Sequence, residues 1–371
     1  MNDKLPKVPR RRQVLDNLKP YIQGSGVPVG EGNGGVKLSF NESPYGPAPE
    51  VRQAYIDASD SIGSYGDGQQ TALRGTLAKT HDLPAENILC GNGSDELISL
   101  LIRAFLDSGS EIVVSENGFA NTRTHAIVAG ATIVSVAERN WTVDFEAVLA
   151  AISTQTRIVS ICNPNNPAGT FLDQSDLRYL VDSVPSQVIL HIDEAYAEYA
   201  IPEPGFESVV DWQSGQQNLV VTRTFSKAYG LAGLRIGWLV AHSSVVDAID
   251  RFRTPFNANI AAQVAAISAL EHQEWLRQVV NDNRKVRNEF VARLIELGLE
   301  VIPSVTNFVL MRFPPDTGKS GSDAYHALEA QGYLARPTES GDAYLRITMG
   351  TAHQMEDVAR IIGQYLMGKL L

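Results

Sequence analysis

Six short apolar runs constrain this chain more than any other feature: 87–90, 112–115, 132–136, 158–161, 188–192 and 219–222. They are rich in β-branched residues and do not alternate apolar with polar, as strands do when both faces are covered. Helical periodicity fills the stretches between them. Alternation of strand and helix on this scale predicts an α/β fold with a mostly parallel central sheet covered by helices. Beyond Asn259 the pattern changes. Residues 259–297 read as largely helical, long enough to bridge two domains. Strand-like pieces at 307–312 and 343–348 follow, and Thr351-x-x-Gln354 forms a capping box that opens a final helix. This tail predicts a smaller α+β domain. The first 40 residues are irregular, with six glycines between Gly24 and Gly35, and read as an arm lying over another surface. The expected division is an arm and part of the small domain at 1–45, a large domain at 46–258, and a bridging helix with the C-terminal small domain at 259–371.

Of the 371 residues, 44% are hydrophobic and 20% charged, the balance of a chain with a large buried core. Thirty-one basic against 42 acidic residues give a net charge of −11, which excludes a nucleic-acid surface as the main function. The most apolar run, 97–105, is broken by Ser99 and Arg103, far short of the roughly 20 residues of a membrane span. Cys90 and Cys162 both sit in apolar runs and read as small buried hydrophobes in a reducing compartment, hence an expected cytoplasmic location. The seven histidines show no metal-ligand spacing, so no metal site is expected.

Five segments carry chemistry-bearing residues. Ile88 to Leu97 runs from a strand through Gly91-Asn92-Gly93 into a helix beginning near Ser94 and Asp95. Free N–H groups there suit a phosphate, and the segment is equally an ordinary capped turn. Val188 to Tyr196 is an apolar strand that delivers Asp193 at the ligand edge of a parallel sheet. A carboxylate emerging from such a core needs a partner: an arginine, a lysine or a protonated ring nitrogen. Lys227 follows a β-branched strand and lies among small and apolar residues. It is either a solvated surface lysine or a buried one with a lowered pKa, able to form a Schiff base. Arg235, between glycines and aliphatics, is placed to meet an anion. Asn163-Pro164-Asn165-Asn166-Pro167 is a rigid turn at a strand end. Arg346 lies inside an apolar strand with Arg336 upstream, on a surface or placed for bidentate carboxylate binding. His191, on the same strand face as Asp193, reads as a satisfied core histidine.

In this order the segments resemble the fold-type I pyridoxal-phosphate aminotransferases, and most closely the histidinol-phosphate aminotransferase family. The resemblance covers nearly the whole chain, from Leu38-Ser39-Phe40-Asn41-Glu42-Ser43-Pro44-Tyr45-Gly46 to Leu345-Arg346-Ile347-Thr348. It implies that Lys227 holds pyridoxal phosphate as a Schiff base and moves the substrate proton. Asp193 would pair with the ring nitrogen, Asn166 and Tyr196 with the phenolic oxygen, and Phe119 would stack on the ring. Gly93, Ser94, Asp95, Thr224, Ser226 and Arg235 would surround the phosphate, completed by the partner subunit's Tyr65, so a homodimer is implied. Arg346 would bind a carboxylate. Arg336 and Tyr21 would face the distal part of the substrate, and Asn41 and Asn257 would line the pocket. The implied reaction is a ping-pong transamination between histidinol phosphate and 2-oxoglutarate, in histidine biosynthesis. The same residues also suit an aromatic amino-acid aminotransferase or, less closely, a decarboxylase of the same fold.

Overall fold

The computed structural model describes residues 11–18, 35–213, 215–338 and 341–370. Strand β1 (Val36–Lys37) precedes helices α1 (Pro49–Asp57) and α2 (Thr71–His81). Then come β2 (Ile88–Gly91), α3 (Ser94–Phe105), β3 (Glu111–Ser115), α4 (Ala120–Ala129) and β4 (Thr132–Val136). A hairpin, β5 (Glu138–Arg139) with β6 (Thr142–Val143), leads through α5 (Phe145–Ala150) to β7 (Thr156–Cys162). Next are α6 (Gln174–Ser183), β8 (Ile189–Asp193), α7 (Ala197–Ala200), β9 (Leu219–Thr224), β10 (Gly237–Val240) and α8 (Ser243–Asp250). Helices α9 (Ile260–Glu271) and α10 (Gln273–Glu296) precede β11 (Glu300–Val301), β12 (Phe308–Arg312) and α11 (Gly321–Ala330). The chain then forms β13 (Tyr333–Leu334), β14 (Arg336–Pro337), β15 (Tyr344–Thr348) and α12 (Ala352–Leu366).

Seven strands form the central sheet in the order β2-β10-β9-β8-β7-β3-β4. All six apolar runs are in it. Side-chain alternation explains why they look uniformly apolar. Ile112, Val114, Ile158 and Val220 face a layer containing α3 and α8, while Val113, Val159 and Val221 face the opposite layer with α2, α6 and α9. Each such buried side chain contributes roughly 1.5–3 kcal/mol. The sequence reading did not include β10, an antiparallel strand of four residues inserted between β2 and β9. It opens with Gly237 directly after the segment that carries Lys227 and Arg235, and its partners are remote in sequence or reached through a long reversal.

The smaller sheet, β11-β12-β15-β14, is antiparallel and packs under α10, α11 and α12. β1 joins this end of the molecule through parallel pairing with β13. The capping box at Thr351 and Gln354 is present on α12. The expected single helix over 259–297 is instead two, parted at His272, whose φ of −106° and ψ of 53° leave the helical region. His272 Nδ1 lies 2.7 Å from the Ser268 carbonyl and Gln273 Nε2 donates to the Leu270 carbonyl at 3.0 Å, so side chains satisfy the carbonyls that the break releases. Alanines 262, 265 and 266 of α9 are buried in the large core, whereas Val286, Phe290 and Leu294 of α10 are buried in the small one. Arg284 and Arg287 of α10 also grip Glu203, at 3.0 and 2.7 Å.

Candidate active site

A cavity of about 530 Å³ opens where β7, β8 and β9 end, between the large sheet and the β14–β15 pair. A parallel sheet puts the ends of its strands side by side, so residues far apart in sequence converge there. Lys227, in the turn after β9, donates from Nζ to the Phe40 carbonyl at 2.8 Å. Burial, reinforced by Arg346 and Arg235, holds its amine down to about 8. Asp193, the last residue of β8, is only 7% exposed. Burial raises its carboxyl to about 6, against a hydrogen bond from the Thr222 hydroxyl at 3.0 Å. The Tyr196 hydroxyl accepts from Asn41 Nδ2 at 2.7 Å and Asn166 Nδ2 at 3.4 Å.

The other end of the cavity is an anion cradle. Helix α3 begins at Ser94, directing its free N–H groups and positive dipole end toward the opening. Gly93 stands at φ +87°, a conformation that favours glycine, and a Cβ there, 2.5 Å from Arg235 Nη2, would displace the guanidinium. Arg235 Nη1 donates to Ser226 Oγ at 3.2 Å, and Thr224 Oγ1 accepts from the Ser226 amide at 3.1 Å. Asp95 Oδ1 meets Asn121 Nδ2 and His125 Nε2, each at 3.1 Å. Against the cost of burial, these partners hold its carboxyl below the usual range.

Arg336 and Arg346 stand directly opposite each other in the β14–β15 pair. Like charges so placed repel. Arg346 donates to Asn166 Oδ1 at 2.6 Å and to the Ser39 carbonyl at 2.8 Å, and its buried Nε has no partner among the described residues. Burial lowers its guanidinium to about 10, and Arg336 pushes the same way. Arg336 lies over the Phe40 ring, 5.6 Å from its centroid, with Lys37 Nζ 4.6 Å from the same ring. Arg346 is thus a half-buried cation held by two neutral partners, with Nε left unbonded among the described residues, an arrangement that suits an incoming carboxylate.

The family described as "Aminotransferase class I and II" matches residues 33–363. The chain belongs to the class I and II aminotransferases. It is 38% identical to a histidinol-phosphate aminotransferase of Granulibacter bethesdensis over 360 residues, 96% of each chain. It is 40% identical to that of Maricaulis maris over 350 residues, 92% of this chain and 94% of the relative. The solved structure of the Sinorhizobium meliloti histidinol-phosphate aminotransferase in complex with pyridoxal-5'-phosphate superposes with a TM-score of 0.86. It is 27% identical, covering 97% of this chain and 98% of that one.

The aminotransferase cavity fits pyridoxal phosphate on its own terms. A buried amine of lowered pKa, a buried carboxylate and a separate anion cradle face the same space, and the glycine at 93 leaves room for the guanidinium in that cradle. Asn41, Ser94, Asp95, Phe119, Asn166, Asp193, Tyr196, Thr224, Ser226, Lys227, Arg235, Arg336 and Arg346 all line it. Three others singled out from the sequence, Gly93, Tyr65 and Asn257, do not line it; Gly93 stands against Arg235 in the cradle. Tyr21 lies outside the described residues. Tyr65 is 83% exposed and stacks on Phe256 at 4.6 Å, away from this cavity. Asn257, expected in the pocket lining, is instead tied beside the start of α3. Glu96 at 2.7 Å, Arg253 at 2.8 Å and Gln70 at 3.0 Å hold its amide there. Sequence reasoning missed Phe40, Glu116, Asn117, Arg123, Cys162 and Thr338, which also line the cavity. Cys162 was findable, since it directly precedes the Asn163 turn; Glu116 and Thr338 come from loops with no local signal. No group of three His, Cys, Asp or Glu side chains among the described residues is placed to hold a metal.

Proposed function

We propose that this aminotransferase uses pyridoxal phosphate to move an amino group between histidinol phosphate and 2-oxoglutarate in a ping-pong cycle, and so serves histidine biosynthesis. The observation that carries the reading is the pair of opposed arginines, Arg336 and Arg346, in the same cavity as Lys227 and Asp193. Two adjacent cations, with no carboxylate among the described residues to hold Arg346, suit substrates with anionic groups, a phosphate in one half-reaction and two carboxylates in the other. The names of the relatives support the donor.

Bound pyridoxal phosphate supplies a carbonyl that condenses with amines and a ring that withdraws electrons from the substrate's α-carbon. Asp193 keeps the ring nitrogen protonated by pairing with it. Tyr196 and Asn166 orient the ring through its phenolic oxygen, Phe119 covers its face, and Arg235, Ser226, Thr224 and the start of α3 hold the phosphate. Lys227 Nζ takes the α-proton and returns it on the other side of the exchange, a role its depressed pKa suits. Arg346 holds the α-carboxylate of glutamate, Arg336 the distal anion. Tyr65, exposed and aromatic, completes the phosphate site of a second copy, so the working form is a homodimer. No helix of the described residues is long and apolar enough to cross a membrane, and the reading places the enzyme in the cytoplasm.

The test is a single-turnover spectrum of protein loaded with pyridoxal phosphate and mixed separately with histidinol phosphate, phenylalanine and glutamate. The visible band should bleach with histidinol phosphate far faster than with phenylalanine. Preference for phenylalanine would move the enzyme to aromatic metabolism, and no bleaching with any donor would remove the transaminase reading. Lys227→Ala should keep bound cofactor yet lose at least about 10⁴-fold in turnover, the scale of a lost general base and nucleophile together. Substantial residual transamination would sink the role of the lysine.

A further inference from the structure

Behind Asp193 the central sheet carries a polar row that the reaction does not itself require. Ser160 on β7, His191 on β8 and Thr222 on β9 are all buried, at 7%, 1% and 0% exposure. Ser160 is the cross-strand neighbour of His191, and Thr222 that of Asp193. Strand alternation puts all four side chains on one face, in line with Ile158, Ile189 and Val220, which are packed in the α3 layer. Three polar groups on an otherwise apolar face are costly unless each is satisfied. Here they satisfy one another: Ser160 Oγ lies 2.8 Å from His191 Nδ1, His191 Nε2 lies 2.9 Å from Thr222 Oγ1, and Thr222 Oγ1 donates to Asp193 Oδ1 at 3.0 Å.

The direction of every proton follows from the last bond. An ionised carboxylate only accepts, so the Thr222 hydroxyl must donate to it. Its oxygen is then an acceptor for His191, which must carry its proton on Nε2. Nδ1 is therefore bare and accepts from the Ser160 hydroxyl. Burial holds the imidazole down to about 3, so it stays neutral and this tautomer is self-consistent. Three donors point the same way, each polarising the next. The titratable groups facing Asp193 are Asp95, Lys227, Cys162 and Tyr196. Of these, only Lys227 is a cation, and Asp95 opposes ionisation.

We infer that Ser160, His191 and Thr222 form a one-way hydrogen-bond relay that keeps Asp193 ionised and aimed into the cavity, and thereby holds the cofactor's ring nitrogen in its protonated form. These are positioning residues: none of them lines the cavity. The inference rests on the proposed binding of pyridoxal phosphate with Asp193 at the ring nitrogen.

The experiment loads the purified enzyme with pyridoxal phosphate labelled with ¹⁵N in the ring and follows the ¹⁵N chemical shift from pH 6 to 10. Wild type should show a protonated nitrogen across neutral pH. Thr222→Val, close in shape, should move the midpoint for loss of that proton down by at least one pH unit, and Thr222→Ser should restore it. Ser160→Ala, two links away, should shift the midpoint the same way by less, and it carries the test alone should Thr222→Val not fold. A purely structural role would lower thermal stability and leave the ¹⁵N midpoint unmoved. A folded, loaded Thr222→Val or Ser160→Ala protein with the wild-type midpoint overturns the relay while leaving the function standing. Wild type that takes up no pyridoxal phosphate, or holds it with an unprotonated nitrogen, overturns the functional reading and the relay with it.

Discussion

Two clusters of buried charge lie on opposite sides of the same strand ends, and they are built in opposite ways. On one side Arg223 of β9 meets Glu194 at 2.8 Å and Glu198 at 3.0 Å, with a further bond to Ser208 at 2.7 Å. Glu194 also accepts from the Val209 amide at 2.7 Å, so the guanidinium is fully engaged within the group, and only Glu198 Oε2 lacks a hydrogen-bond partner among the described residues. On the other side Asp193, Lys227 and Arg346 face the cavity, with Arg336 opposite Arg346 in the small sheet. Asp193 and Glu194 are consecutive residues, yet one has a hydroxyl for a partner and the other a guanidinium. The guanidinium of Arg223 is pushed up by its two carboxylates despite burial, while that of Arg346, which is less fully buried, is pushed down to about 10. Burial alone therefore does not distinguish scaffold from site; completeness of the charge pairing does.

Breaking the closed cluster should have the larger effect on folding. Arg223→Met strands two buried carboxylates, a loss of about 3–5 kcal/mol by analogy with other broken buried pairs. Burial already raises the Glu198 carboxyl against the pull of Arg223; without the arginine it rises further, so the native state holds a proton that the unfolded chain releases. The deficit is then greatest at neutral pH and shrinks as pH falls toward that of the unfolded carboxylates. Urea denaturation at pH 5 and pH 8 reads this directly, and a midpoint unchanged at both would mean the cluster contributes nothing.

Arg346→Gln breaks the open set and should do the reverse. It removes the charge opposing Arg336, so stability of the cofactor-free protein should hold or improve. The kcat/KM for glutamate should fall about 10²-fold, roughly 3 kcal/mol, as a buried carboxylate loses its charged partner. It also removes one of the cations that depress Lys227. An amine must be neutral to attack a carbonyl, so uptake of pyridoxal phosphate by the wild-type protein should speed up with pH and level off above about 8. In the variant the bend should move to higher pH, and a bend that stays put would disconnect the two residues.

Asp193→Asn tests the carboxylate of the open set. Its folded pKa of about 6 lies above the unfolded value of 3.8. The native state binds the proton more tightly, so this group lowers stability progressively as pH rises from about 4 to about 6, and the deficit persists above. The asparagine variant, free of cofactor, should be more stable than wild type at pH 8 by on the order of 1–3 kcal/mol, with the gap closing near pH 4. The same variant should lose transaminase activity. Equal stability at both pH values would show that Asp193 pays no desolvation cost.

The contrast between the clusters also explains what the sequence could reveal. Strands buried on both faces are apolar throughout, so six strands of the central sheet were legible, and β10, which opens with Gly237 straight out of the segment that carries Lys227 and Arg235, was not. Lys227, Asp193, Arg235 and Arg346 stood out because each interrupts an apolar or glycine-rich context, which marks a charge in need of a partner. Whether that charge is paired is a tertiary fact. Arg223 sits in the same kind of strand, and nothing local tells it from Arg346. Asn257 looked like a pocket residue because an amide beside a turn has no fixed direction; Arg253, Glu96 and Gln70 supply one. The polar row at 160, 191 and 222 was visible only by parity, each residue lying an even step from a site residue at 162, 193 or 224, and pairing three strands needs the register that folding provides.

The smallest effect should come from the ring that steadies the open arginines. Arg336 faces the cavity over Phe40, whose other cation, Lys37, is tied to Glu42 at 2.9 Å. An aromatic face orients a guanidinium without neutralising it, so Arg336 keeps its charge available for a ligand in a way that Arg223, locked to two carboxylates, does not. Phe40→Leu preserves the main-chain carbonyl that holds Lys227 and removes only the ring. With about 0.5–1 kcal/mol expected for such a contact, KM for histidinol phosphate should rise about two- to fivefold while kcat stays level. Phe40→Tyr should restore it. A fall in kcat with KM unchanged would mean that Phe40 acts on Lys227 instead. No change in either would mean that Arg336 is held in place by the β14–β15 pairing alone.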